Sequence, residues 1–111
     1  MNPSEIQPKI NEMVRRIVAK FRPEKIILFG SYARGTAGPD SDVDLLVVMP
    51  SGALSRREQA VQIRCALYEF GIPKDVIVAT AQEVERCRNL IGHIIRPAMR
   101  EGKVLYERLA A

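Results

Sequence analysis

Residues 29–48 read FGSYARGTAGPDSDVDLLVV and set three aspartates against the start of a strand that should be buried. Residues 45–48 are apolar and rich in β-branched side chains, so they read as core. Just upstream, KIILF at Lys25–Phe29 is a second short apolar run, closed by Gly30. The stretch therefore reads as a strand, a short helical turn at Ser31–Arg34, a loop over residues 35–39, and a strand over residues 43–49. Side chains two apart on an extended chain share a face. Asp42 and Asp44 thus project together, with Val43, Leu45 and Val47 opposite.

The placement is not a matter of composition. Of the 13 acidic residues nine are Glu, and the four aspartates are Asp40, Asp42, Asp44 and Asp75. Two carboxylates brought to about 5 Å repel by roughly 3 kcal/mol at an effective dielectric of 20. Protonation of one relieves this, as does a divalent cation between them. Oxygen ligands with no nearby His or Cys select Mg²⁺ or Mn²⁺ over zinc. Mg²⁺ takes one or two carboxylates and completes its octahedron with water and substrate phosphates.

Gly30-Ser31 supplies the other half of such a site. Gly30 lets a ligand approach the backbone closely, and Ser31 opens a turn whose free N–H groups face an anion. Arg34 follows one turn on. Each element alone is ordinary turn chemistry. Four specified residues at fixed spacing, however, match by chance in on the order of one chain in several hundred. Together they point to a nucleoside triphosphate held with Mg²⁺.

Working outward, Ile6, Ile10, Met13, Val14, Ile17, Val18 and Phe21 recur at helical spacing, and Arg22-Pro23 ends the helix. Pro8 interrupts the pattern, so the regular helix is expected to begin near it rather than at Pro3. Ser55 and Glu58 have capping-box spacing and open a helix expected to reach Phe70 and stop at Gly71. Residues 75–79 form a third strand, and Thr80 with Glu83 repeats the capping-box spacing. Gly92 and Pro97 break the last helical region, and residues 103–106 form a final strand or an extended tail. The fold class is α/β (α+β): one small mixed sheet flanked by helices. About a dozen residues join the first two strands, marginal for a parallel crossover, so periodicity leaves the strand directions open.

The 111 residues suit one domain over residues 1–111. Apolar content of 47% and charged content of 27% are those of an ordinary globular protein. No apolar run approaches the roughly 20 residues needed to span a bilayer, and the first residues lack the zones of a signal peptide, so a cytoplasmic location is expected. Cys65 and Cys87 have no metal-ligand spacing and read as reduced thiols on helices. The net charge of +4 is dispersed over pairs such as Arg15 and Arg16, or Arg96 and Arg100, which read as solvated helix faces rather than a nucleic-acid surface. His93, the only histidine, reads as structural. Walker-A and dinucleotide-fold glycine patterns are absent.

Gly30-Ser31, ten residues, then Asp42-Val43-Asp44 resembles the signature of the DNA polymerase β-like nucleotidyltransferases. The fuller string GSYARG…SDVDLLVV, with REGKVLYE near the end, resembles their minimal nucleotidyltransferase branch. The resemblance implies that fold, and that Asp42 and Asp44 bind two Mg²⁺ ions (or Mn²⁺). It implies a third metal-binding carboxylate, for which Asp75 in KDVIVAT is the remaining aspartate, helping to activate the attacking hydroxyl. Gly30 and Ser31 are implied to hold the β- and γ-phosphates, with Arg34 at a position often basic; Asp40 and Ser41 shape the loop. The implied reaction passes a nucleoside monophosphate, AMP from ATP, to a hydroxyl. The implied acceptor is a tyrosine of a HEPN-domain toxin, making this chain its antitoxin. Two other readings stay open: a binding module that neutralises its partner by contact alone, and a nucleotidyltransferase acting on RNA or a small molecule. A homo-oligomer is compatible with either.

Overall fold

The computed structural model describes residues 3–52 and 54–109. In chain order the elements are α1 (Pro3–Phe21), β1 (Lys25–Phe29), α2 (Ser31–Arg34), β2 (Val43–Val48), α3 (Arg56–Ala66), a 3₁₀ turn (Tyr68–Phe70), β3 (Lys74–Ala79), α4 (Ala81–Cys87), α5 (Ile95–Glu101) and β4 (Lys103–Glu107). One four-stranded sheet runs in the order β3-β2-β1-β4. β1 is antiparallel to β2 and to β4, while β2 and β3 are parallel, joined across α3. The short link between β1 and β2 thus makes an antiparallel pair, and the long one makes the parallel pair.

Strand alternation sorts the core into two layers. Ile26, Leu28, Val43, Leu45, Val47, Val76 and Val78 pack on α1 and α3 through Ile10, Met13, Ile17, Ile63 and Leu67. Ile27, Phe29, Leu46, Val48 and Ala79 face the other way, onto Val84 of α4 and Ile95 and Ala98 of α5. At Gly102 a Cβ would overlap Ala98 O and Ile27 Cγ2, so the missing side chain lets the end of α5 settle on β1.

Three expectations need correction. α1 begins at Pro3, not near Pro8: Pro8 is exposed inside the helix, and Ile6 and Ile10 are buried on either side of it. Their burial offsets the single backbone bond that the proline cannot donate. The helix after Ser55 does not run to Phe70; it ends at Ala66 and tightens into the 3₁₀ turn before Gly71 in a left-handed conformation (φ 63°). Arg16 is not a solvated charge. Its guanidinium lies 4.8 Å from the Phe70 ring centroid and pairs with Glu69, pinning α1 to the 3₁₀ turn.

Both predicted caps form, unequally. Thr80 Oγ1 accepts from Glu83 N–H at 3.2 Å and the Glu83 carboxylate accepts from Thr80 N–H at 2.8 Å, a complete box. Ser55 Oγ accepts from Glu58 N–H at 3.1 Å, but the Glu58 carboxylate turns to the Ser55 hydroxyl instead of its backbone.

Candidate functional site

The site lies where β1 ends and β2 and β3 begin. Register places Phe29 beside Asp44 and Asp44 beside Asp75. Direct neighbours across a sheet point to one face, on strands about 4.8 Å apart. Asp42, two before Asp44, shares that face, which is the one covered by α4 and α5. Val43 N–H donates to Pro73 O at 2.9 Å, locking the first residues of β2 and β3 side by side. The loop before them is held by Ser41: Gly38 N–H donates to Ser41 Oγ at 2.8 Å and Ser41 N–H to Gly38 O at 3.1 Å.

Gly30 closes the other side. Its φ of 75° and ψ of −155° suit glycine almost alone. A Cβ there would overlap Asp44 Oδ2 and lie 3.1 Å from Asp44 Cγ, so the carboxylate occupies the space that a side chain would take. The chain then turns into α2, with Ala33 N–H and Arg34 N–H both donating to Gly30 O at 3.1 and 3.0 Å.

The electrostatics follow from this crowding. Asp44 is half-buried, and its carboxyl titrates above the usual aspartate value of 3.8. Burial is the chief cause, then the charges of Asp75 and Asp42; Arg34 opposes them. The charges of Asp75 and Asp42 thus disfavour the ionised form of Asp44, which a divalent cation would reverse. Among the described residues no group of three His, Cys, Asp or Glu side chains forms a ready-made metal cage. The donors present still fit a hard cation that draws part of its shell from water and phosphate.

Arg34 has a partner that no spacing could signal: its Nη1 lies 3.0 Å from Glu101 Oε2, at the end of α5 and 67 positions away. His93 Nδ1 accepts from Ile95 N–H at 3.2 Å, a structural role at the start of α5, and Tyr32 packs against the α1/α3 core. Cys65 and Cys87 are free thiols on α3 and α4, Cys65 exposed.

Residues 9–105 match the nucleotidyltransferase domain family. The chain belongs to that family. This nucleotidyltransferase is 34% identical over 99 residues to a putative protein adenylyltransferase of Methanocaldococcus jannaschii, covering 87% of this chain and 94% of that protein. Its fold is similar to that of a nucleotidyltransferase crystal structure from Sulfolobus solfataricus, at a TM-score of 0.63 and 21% identity over 96% of this chain and 84% of that one. A crystal structure of a toxin–antitoxin with AMP-PNP aligns at a TM-score of 0.58 and 22% identity, over 88% of this chain and 73% of that one. The expected sheet flanked by helices is thus the nucleotidyltransferase fold. Asp42, Asp44 and Asp75 come to one end of the sheet, Asp44 against Gly30, with Ser31 and Arg34 on the turn that follows. No described helix is long and apolar enough to cross a membrane.

Proposed function

We propose that this nucleotidyltransferase, acting as a single domain, transfers AMP from ATP to a hydroxyl, specifically a tyrosine of a HEPN-domain toxin, and so serves as its antitoxin. One observation carries the reading: three carboxylates share one face at the strand ends, and one of them fills the space left by the missing side chain of Gly30. Relatives named as protein adenylyltransferases support the choice of donor and acceptor class, and the AMP-PNP complex of a similarly folded toxin–antitoxin supports ATP and a toxin partner.

In this reading Asp42, Asp44 and Asp75 hold two Mg²⁺ ions, which when bound lower the charge on the α-phosphate and on the departing oxygen. The backbone of Gly30 and Ser31 receives the β- and γ-phosphates, and Arg34 adds a positive charge beside them. The acceptor oxygen bonds to the α-phosphorus, the bond from that phosphorus to the β-bridging oxygen breaks, and pyrophosphate leaves with the electron pair. Asp75, exposed on the edge strand β3, takes the acceptor proton. Catalysis is mainly positioning and charge stabilisation.

Incubation with α-labelled ATP, Mg²⁺ and the neighbouring reading frame's product tests this. Label on a tyrosine of that product is expected, and Asp42→Asn/Asp44→Asn should cut it at least about a thousandfold, roughly 4 kcal/mol of barrier. Neutralisation of the partner that survives in the double variant would replace transfer with binding alone. Label on added RNA or an aminoglycoside instead would reassign the acceptor.

A further inference from the structure

We infer that the outer side of α5 and the turn before it form the docking surface for the protein acceptor, and that it takes an acidic segment around the accepting hydroxyl. The inference rests on the transfer reading above and adds where the acceptor sits and what charge it carries.

A shallow groove of about 540 Å³ follows α5, lined by His93, Ile94, Arg96, Pro97, Arg100 and Glu101. At one end Glu101 binds Arg34, whose charge is felt by Asp44. Helical phase agrees: Ile95 and Ala98 point into the sheet, and Met99 lies against Val84 and Arg88 of the α4 region. Ile94, Pro97 and Glu101 are left on one outer flank, the one joined to Arg34 through Glu101, and Arg96 and Arg100 on the other.

The surface chemistry favours a protein. Leu90, Ile91 and Ile94 are 52%, 87% and 46% exposed, three large apolar side chains within five positions. An exposed apolar cluster bordered by charge marks a contact site. Arg96 and Arg100 form no ion pair among the described residues, so the border is net positive and complementary to carboxylates. The groove offers no Tyr or Phe on which a base could stack, which argues against RNA.

The test uses two defined acceptors, random Glu/Tyr and Lys/Tyr copolymers, with α-labelled ATP and Mg²⁺; ATP binding is followed separately by equilibrium dialysis. The acidic copolymer should be labelled at least about tenfold more than the basic one. Arg96→Glu/Arg100→Glu should lower that labelling about tenfold, and the milder Arg96→Gln/Arg100→Gln about threefold, with ATP binding unchanged in both. Equal labelling of the copolymers, no labelling of either while ATP binds, unchanged labelling in both variants, or preferential labelling of poly(U) each overturns the docking surface. Failure of the parent chain to bind ATP overturns the transfer reading itself.

Discussion

The two faces of the sheet divide the work. Among the described residues, 17 buried ones form the larger cluster on the α1/α3 face, with Ile10, Met13, Ile17 and Leu45 almost unexposed. On the α4/α5 face the cluster has eight, and the same strand rows that supply Leu46 and Ile77 begin with Asp44 and Asp75. One face satisfies every side chain it buries. The other gathers like charges at its rim, held there because β2 and β3 are already fixed from behind. The difference teaches that the site is strained electrostatically and supported mechanically, by opposite sides of the same residues' strands.

Substitutions can separate the two faces. Ile17→Ala, at 0% exposure behind the sheet, should lower stability by about 3 kcal/mol, read from urea midpoints. Transfer per folded molecule should hold. A comparable loss of transfer without unfolding would mean that the supporting face takes part in the chemistry.

Gly30→Ala sits on the boundary between them. It should destabilise by about 1–3 kcal/mol through the positive φ, and nucleotide transfer should fall further than stability accounts for, since the new Cβ displaces the Asp44 carboxylate. Wild-type transfer in the alanine variant would show that Asp44 does not need its present position.

The smallest effect concerns pH. Because the Asp44 carboxyl titrates higher folded than unfolded, the folded chain binds its proton more tightly. That contribution is complete below the ordinary aspartate value of 3.8 and is lost as pH rises through the raised folded value. Metal-free Asp44→Asn should therefore be slightly more stable than the parent at pH 7, with the gain vanishing below about pH 4. Glu83 provides the contrast. Its carboxylate accepts from Arg56 Nε at 2.8 Å and from Thr80 N–H, and titrates at about 2, below its ordinary 4.5. Its stabilisation is present above 4.5 and fades as pH falls toward 2. A melting series in which the asparagine gain grows toward acid pH would reverse the sign assigned to Asp44.

Much of this was legible beforehand. Period-two alternation put Asp42 and Asp44 opposite Val43 and Leu45, and the structure keeps that division. The strands, both helix-opening caps and the break around Gly92 also follow from local spacing. What escaped is non-local. The direction of β2 against β1 and the register that sets Asp75 beside Asp44 depend on pairing across the sheet, where sequence separation carries no signal. The same holds for Arg34 and Glu101. Arg16 looked solvated because its partners, Glu69 and the Phe70 ring, come from a turn that tertiary packing tightens.

The most direct measurement is a titration of Mn²⁺ in the presence of a non-hydrolysable ATP analogue, followed by electron paramagnetic resonance, on the parent chain and on Asp42→Asn, Asp44→Asn and Asp75→Asn singly. Three carboxylates serving one metal site predict weaker Mn²⁺ binding in all three variants, by about tenfold or more each. If Asp75→Asn binds Mn²⁺ as tightly as the parent while the other two fail, the carboxylates do not act as one group and the account is contradicted.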